Sequence, residues 1–446
     1  MCPAVVSRCS ADRGGKAQYK RIRTFLLIVL CLVFLRHNNL QPVSDVTTEK
    51  KVASLEYRLS SIDAYRGFVM FLLLGEAFQL CNVAAAVPES NLWRFLCRHQ
   101  SHAEWIGANL HDLIMPSFCF LVGVSLPFSI ARRTARGARP RDLWRHAVTR
   151  SFLLIGLGLA IAAMHARQMI VYPFDWILPQ IGLAYPALFW LAFRPSRTAW
   201  ISAIVILVVC WLAFAFYPVP GPDFDYAQVG VSQPWLKEHG LNGFESHWQK
   251  NSNVAWAFDV WLLNLYPRQE PFMGFPKGMT TLNFIPTLVT MILGLMAGRI
   301  LQSDREPWSK VRWLFSAGAF GLTGGWALSL TGLCPLVKAI WTPSWVLFSG
   351  GWCFLLLGCS FLLVDWWGYR RLVFPLTVIG MNAIAAYLLA QIHSNVAFNA
   401  LRRLVGRAPF TFLGEPYEPL IYGMVTVAGY WTVLYLLYTR RLFLRV

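Results

Sequence analysis

The stretch DLIMPSFCFLVGVSLPFSIARRTARGARPR, residues 112–141, decides the fold class of this chain. Residues 112–131 are mostly apolar, and roughly 20 such residues cross a hydrocarbon layer about 30 Å thick, because an α-helix rises about 1.5 Å per residue. Arginines follow at once, and Arg and Lys in short connections are retained on the cytoplasmic side of a membrane. The stretch therefore predicts a transmembrane helix that ends in the cytoplasm.

The same length and apolar character recur along the chain. We therefore predict an all-α, polytopic membrane protein with about ten transmembrane helices. They lie near residues 67–87, 112–131, 148–166, 176–194, 198–217, 281–301, 311–330, 343–364, 373–394 and 419–439.

Composition supports a membrane protein and limits the partners to be expected. Hydrophobic residues make up 56% of the 446 residues and charged residues 14%, which excludes an ordinary soluble surface. The formal net charge of +18 comes from Lys and Arg clustered between apolar runs. We therefore expect the lipid bilayer, and no nucleic acid, as a partner. The ten cysteines contain no CxxC pair, and several lie in apolar segments, so no disulfide framework is expected.

Basic residues in the connections predict the orientation. Arginines also follow the fourth, sixth and eighth predicted helices and occur in the C-terminal tail, so both termini are expected in the cytoplasm. Odd-numbered connections, including residues 88–111 and a long outer loop at 218–280, then face outside. Arg402, Arg403 and Arg407 are the exception, because they fall in an outer connection.

Two regions divide the chain. Residues 56–446 form the predicted transmembrane domain, and residues 1–55 form a basic extension. The extension contains the apolar run TFLLIVLCLVFL at 24–35, which is signal-like but short for a span. If this run crossed the membrane, the arginine-rich connection would be inverted. We therefore expect a peripheral or disordered extension.

Polar residues at the outer ends of the first two helices are the first candidate site. Glu76 lies within the first predicted helix, where a carboxylate is costly unless it serves a function, takes up a proton or meets a cation. His102 lies in the outer connection just before the second helix. Asn109 is expected to cap that helix, and Asp112 places a negative charge near its positive end. A polar path from Glu76 toward His102 is typical of a passage.

Other candidates lie elsewhere in the chain. Asp63 and Arg66, spaced i and i+3, form an ion pair or receive an anionic ligand at the cytoplasmic end of the first helix. In the outer loop, Trp256 and Asp259 offer an indole face and a carboxylate for a sugar, or else belong to an aromatic belt at the membrane interface. Asn382, in the ninth predicted helix, is expected either to line a tunnel for the acyl group or to bridge two helices.

The order of several segments resembles a known family. These stretches are RLSSIDAYRG at 58–67, HAEWIGANLHDLIMPSFCFLVGVSLPFS at 102–129, WAFDVWLLNLYPRQEPF at 256–272, TLNFIPTLVTMILGLMAG at 281–298, WTPSWVLFSGGW at 341–352 and FPLTVIGMNAIAAY at 374–387. In them the chain is similar to the heparan-α-glucosaminide N-acetyltransferase family of transmembrane acyltransferases, and especially to its bacterial members. Together the stretches cover most of residues 58–440.

The resemblance implies a reaction and a site. Acetyl-CoA from the cytoplasm would donate its acetyl group to the amine of a glucosamine, or another glycan acceptor, on the outer side. The essential His of the family lies in an H-x-x-W context, which falls on His102 and Trp105. A His can act as a general base or carry the acyl group as an acyl-imidazole, and both routes stay open. Taken together, the residues and the resemblance give His102 and Glu76 as the expected catalytic residues. The expected substrate- and cofactor-binding residues are Asp63, Arg66, Trp105, Asp112, Asn382, Trp256 and Asp259.

The resemblance also sets the remaining expectations. Acetyl-CoA is the expected donor, and no metal is expected. The expected location is a bacterial inner membrane, and a homodimer is an open possibility for the assembly. Two departures concern the substrate. Gly75, Glu76 and Ala77 stand where the family places an Asn, and LPQIG at 178–182 lacks the Arg of the family's Gln-Arg-x-Gly run.

Alternative functions stay open at this stage. An intramembrane Glu and glycine-rich helices also suit a small-molecule transporter or flippase, although no inverted repeat is evident. An inactive scaffold with the same fold is a third class. Zinc binding by His99, His102, His111 and Asp112 is disfavoured because their spacing matches no standard ligand pattern.

Overall fold

The computed structural model describes residues 59–165, 174–266, 270–391 and 402–444. The predicted extension at residues 1–55 lies outside the described residues. Within them, the secondary structure is helical and no strand forms beyond one isolated bridge between Ile106 and Val337. The predicted all-α, polytopic membrane fold is confirmed.

The helices follow the predicted order. Their bounds are α1 Ser60–Leu74, α2 Leu80–Ala86, α3 Asn91–Gln100, α4 Ile114–Ala135, α5 Pro140–His165, α6 Ile177–Ala192, α7 Ser196–Ala215, α8 Gln233–His239, α9 Val254–Asn264, α10 Phe284–Gln302, α11 Pro307–Leu330, α12 Pro343–Phe361, α13 Phe374–Met381, α14 Ala383–Ala390 and α15 Glu418–Thr439.

Seven helical segments in the described residues are long and apolar enough to cross a membrane. They contain α1 with α2, and α4, α5, α7, α10, α12 and α15. The other predicted spans correspond to the 16-residue helix α6, to α11, and to α13 with α14. The count of ten and the cytoplasmic location of both termini stay predictions.

Two predicted spans are interrupted. The first breaks between α1 and α2, and the ninth breaks at Asn382, between α13 and α14. Asn382 is fully buried, donates to the Leu442 carbonyl at 3.1 Å and accepts from the Leu444 N–H at 3.1 Å. Since both ends of its amide bind the C-terminal segment, Asn382 fastens the break to that segment, which favours the bridging interpretation over a tunnel lining.

Helices α4 and α10 cross without room for side chains between them. A Cβ atom built on Gly294 of α10 would lie 1.9 Å from the Phe120 carbonyl oxygen of α4, and one on Gly123 would lie 2.0 Å from the Met291 carbonyl oxygen. Small residues permit such close backbone contact. Because lipid tails are as apolar as the side chains, helices in a membrane associate through van der Waals packing and not through the hydrophobic effect. This crossing lies at the centre of the buried core.

The described part of the predicted outer loop 218–280 is folded, and we call it the outer cap. It contains α8, a 3₁₀ turn at Gly243–Trp248 and α9. The fully buried Trp248 stacks on Phe214 of α7, with ring centroids 6.2 Å apart. The loop therefore packs on the end of α7. Trp105, from the connection before α4, belongs to the same buried cluster as Phe214 and Trp248.

We predict that Gly294→Leu destabilises the protein because its side chain collides with backbone that cannot move aside. Overpacking of this kind costs about 1–3 kcal/mol. Thermal unfolding of the purified protein in detergent measures the loss. Gly156→Leu on α5 is the matched control, because a Cβ atom there meets nothing within 4 Å. Equal unfolding temperatures for the two variants would contradict the packing account.

Candidate active site

The first helix opens where its polar residues lie. After α1, Gly75–Phe78 form a 3₁₀ turn, and Gln79 takes a left-handed conformation with φ 49° before α2 begins. Gln100 at the end of α3 closes the gap, since its amide donates to the Gly75 carbonyl at 2.6 Å and accepts from the Leu80 N–H at 2.8 Å. The first predicted span is therefore interrupted here, and the break presents Glu76 away from helix packing.

A disulfide between Cys81 and Cys97 joins α2 to α3 beside this break. The sequence predicted no disulfide framework, and it did not identify this single pair. A disulfide persists in an oxidising compartment, which agrees with the predicted outer location of the connection 88–111. The bond and Gln100 together hold the break and the following loop in one arrangement.

Asp112 organises the loop that follows α3. Its carboxylate is fully buried and accepts hydrogen bonds from the N–H groups of Ala103 at 3.1 Å and Asn109 at 2.9 Å. Asn109 occupies the N-cap position of the 3₁₀ turn that leads into α4, as predicted, and its side-chain amide donates to the Ser101 carbonyl. Asp112 therefore fixes both ends of the loop that carries His102.

His102 is held by the same carboxylate. Its Nδ1 atom lies 2.8 Å from Asp112 Oδ1, while 47% of its side chain is exposed. Nδ1 also lies 3.0 Å from the Lys338 ammonium, which only donates, whereas an ionised carboxylate only accepts. The shorter contact, to Asp112, favours a proton on Nδ1 that is donated to the carboxylate. The other nitrogen, Nε2, is then unprotonated in the neutral ring and is the atom that can accept a proton from a ligand.

Lys338 completes this group from the connection between α11 and α12. Its ammonium lies 3.0 Å from Asp112 Oδ1 and is largely buried, with 14% of the side chain exposed. The Gly107 N–H donates to the Leu336 carbonyl at 2.9 Å, which fastens the two loops together. The buried carboxylate therefore has a buried cation as its partner, and that pairing offsets the cost of burying either charge.

The charges around His102 favour its neutral form. The hydrogen bond to Asp112 raises the pKa of His102, but partial burial and the charge of Lys338 outweigh it, and the pKa falls below its ordinary value. Burial also lowers the pKa of Lys338, and Asp112 opposes that shift. The lowered pKa favours the neutral imidazole of His102 at neutral pH.

Glu76 forms a second pair with a histidine. Its Oε1 atom lies 2.8 Å from His111 Nε2, and the rings of His111 and His102 lie 4.8 Å apart. Over half of the Glu76 side chain, 56%, is exposed, whereas 8% of the His111 side chain is. The structure thus brings together Glu76, His102 and Asp112 from the predicted residues.

The remaining predicted residues have other surroundings. Trp105 is 2% exposed and its indole donates to the Trp248 carbonyl at 3.2 Å, so it supports the loop from behind and offers no open face. Trp256 donates to the Met273 carbonyl at 2.7 Å. Asp259 is buried, accepts from the Thr281 N–H at 3.0 Å, and has its pKa raised to about 6 by burial. Trp256 and Asp259 thus help to hold the outer cap together.

Asp63 and Arg66 pair with each other. The Arg66 guanidinium donates to Asp63 Oδ1 at 3.0 Å and to the Ser125 hydroxyl at 2.8 Å. This geometry is the ion pair that their i, i+3 spacing predicts, and it ties α1 to α4. A role in binding the donor stays a prediction.

Two members of the site were missed by sequence reasoning. Lys338 received no role, although its position gave a signal: it lies in a predicted outer connection, where Lys and Arg are scarce. His111 was weighed only as a zinc ligand. In the described residues no group of three or more His, Cys, Asp or Glu side chains is placed to hold a metal ion, and His99 instead accepts from the Leu110 N–H.

Comparison with known proteins supports the resemblance found in the sequence. The chain is 24% identical over 438 residues to heparan-α-glucosaminide N-acetyltransferase of Mus musculus, which covers 87% of this chain. The chain is similar to a heparan-α-glucosaminide N-acetyltransferase. The human protein of that name is also 24% identical, over 445 residues and 89% of the chain. The matched region spans about 60% of the length of these relatives, and no family model matches.

We predict that Lys338→Met raises the pKa of His102. Removal of the ammonium takes away a charge that lowers this pKa and leaves Asp112 without its cation. Modification of the neutral imidazole by diethyl pyrocarbonate, followed against pH, measures the shift, with His102→Gln subtracted as the background. Lys338→Arg keeps the positive charge and is expected to resemble the wild type. An unmoved midpoint in Lys338→Met would contradict this electrostatic account.

Proposed function

We propose that the chain is a membrane acyltransferase that moves an acetyl group from cytoplasmic acetyl-CoA to the amine of a glycan on the outer side. The observation that carries the proposal is the arrangement of His102, with Nδ1 bound to the buried Asp112 and Nε2 available to a ligand. The N-acetyltransferase names of the two relatives supply the reaction class.

His102 serves as the general base in this proposal. As the acceptor nitrogen attacks the thioester carbonyl carbon, the new C–N bond forms and His102 Nε2 takes the proton from that nitrogen. The C–S bond then breaks, and the leaving thiolate of CoA takes the proton from the imidazolium. The products are the acetylated amine and the free thiol, and His102 returns to its neutral form.

Asp112 and Lys338 have complementary effects on this base. The carboxylate holds the ring in the tautomer that leaves Nε2 unprotonated, and it stabilises the imidazolium that forms during the reaction. The buried ammonium of Lys338 balances the carboxylate, so His102 is neutral before the reaction begins. The base is therefore free at neutral pH and stabilised once it has accepted the proton.

Transfer of a labelled acetyl group in vitro tests this proposal. Purified protein is mixed with acetyl-labelled acetyl-CoA and glucosamine, and the labelled product is separated and counted. We expect His102→Ala to lower kcat by about 10²–10⁴-fold, the usual contribution of a general base. His239→Gln, which changes a histidine of α8 in the outer cap, is the matched control and should retain activity.

Two controls separate a loss of catalysis from a loss of folding or of acetyl-CoA binding. Each variant is compared with the wild type by thermal unfolding, so that lost activity is separated from lost folding. If acetyl-CoA neither binds the wild-type protein nor raises its unfolding temperature, the acyltransferase proposal is wrong. Transfer that survives in a folded His102→Ala protein would remove His102 from the mechanism.

Kinetics distinguish a base from an acyl carrier. We predict a ternary-complex mechanism, with double-reciprocal lines that intersect when acetyl-CoA and glucosamine are varied together. The reason is that a general base forms no covalent intermediate, so both substrates must be bound before the first product leaves. Parallel lines, the ping-pong pattern of a covalent intermediate, would show that His102 carries the acyl group instead.

A further inference from the structure

The two histidine–carboxylate pairs of the site differ in which member is exposed. In the pair of His102 and Asp112, the imidazole is 47% exposed and the carboxylate is fully buried. In the pair of His111 and Glu76, the carboxylate is 56% exposed and the imidazole is 8% exposed. The site therefore presents one imidazole and one carboxylate, and each is oriented by a buried partner behind it.

The chain connects these pairs closely. His111 and Asp112 are adjacent in the 3₁₀ turn before α4, yet each holds a different exposed group. The centroids of the His102 and His111 rings lie 4.8 Å apart, so the two pairs are neighbours. The break after α1 is needed for this arrangement, because it turns Glu76 toward the loop.

The chemistry of the two exposed groups indicates what they recognise. His102 Nε2 accepts one hydrogen bond, and the Glu76 carboxylate accepts others. The nitrogen of a neutral primary amine carries two hydrogens and can donate to both groups, whereas a hydroxyl has one hydrogen and can satisfy only one of them. The pairing therefore favours an amine over a hydroxyl as the attacking group.

We propose that His111 is a positioning residue that holds the Glu76 carboxylate against the attacking nitrogen of the acceptor. This inference rests on the proposed function and adds to it a second anchor, which selects the nitrogen and aims its other hydrogen at His102. His111 Nε2 donates to Glu76 Oε1, which leaves Oε2 for the acceptor. His111 acts through Glu76 and does not touch the acceptor itself.

The experiment measures kinetic constants for each substrate separately. Wild type, Glu76→Gln, His111→Leu and His111→Gln are compared, with glucosamine varied at saturating acetyl-CoA and then the reverse. A hydrogen bond to a charged group is worth about ten- to hundredfold in an equilibrium constant. We expect Glu76→Gln and His111→Leu to raise the KM for glucosamine by that factor, with a much smaller change in the KM for acetyl-CoA.

Two further comparisons separate positioning from general structural damage. His111→Gln retains a side-chain N–H donor and should recover part of the loss seen in His111→Leu. The double variant Glu76→Gln with His111→Leu should be no worse than the more impaired single variant, because both changes remove one interaction. Thermal unfolding of each variant verifies that it is folded.

The outcomes distinguish this inference from the function on which it rests. If the wild type transfers acetyl and the variants keep the wild-type KM for glucosamine, the role of His111 is wrong and the acyltransferase stands. Equal losses for both substrates, or additive losses in the double variant, would also overturn it. If the wild type transfers no acetyl to glucosamine or to any other amine, both proposals fall.

Discussion

The buried carboxylate of Asp112 is the interaction on which the outer half of this protein depends. It accepts from two loop N–H groups, binds the imidazole of His102 and pairs with the ammonium of Lys338. A carboxylate withdrawn from water is stable only when its oxygens have such partners, and removing one partner of a buried pair is strongly destabilising. The need to satisfy one charge therefore determines where the loop, the base and the connection before α12 lie.

The packing of the helices positions the residues around Asp112. Close glycine crossings set the spacing of α4 and α10, and α4 begins at the turn that carries His111 and Asp112. The break after α1 is closed by Gln100 and joined by a disulfide to α3, which leads directly into the loop of His102. Irregular backbone is tolerated at membrane depth only where protein or a water-filled cavity satisfies it. The broken helix thus both lines and supports the site.

Much of the fold could be predicted from the sequence because hydrophobic length and arginine placement are local signals. Within the described residues, each predicted span corresponds to a helix or to a pair of short helices. Asp112 was noted as a polar residue beside an apolar run, whereas the role expected for His102 came from the family resemblance. The pairing of Asp112 with Lys338 could not be predicted, since 226 residues separate them and only the packed structure brings them together. The same is true of Trp105, which was expected among the binding residues and is instead covered by the outer cap.

The central claim is that His102, at the outer end of the helices, acts on an acetyl group supplied from the opposite side. Sealed vesicles that contain the protein, with labelled acetyl-CoA enclosed on the side of the arginine-rich connection and glucosamine added on the other side, test it most directly. The account predicts labelled N-acetylglucosamine on the glucosamine side, dependent on His102, with acetyl-CoA retained in the vesicles. Product that forms only when both substrates are on the same side would contradict it.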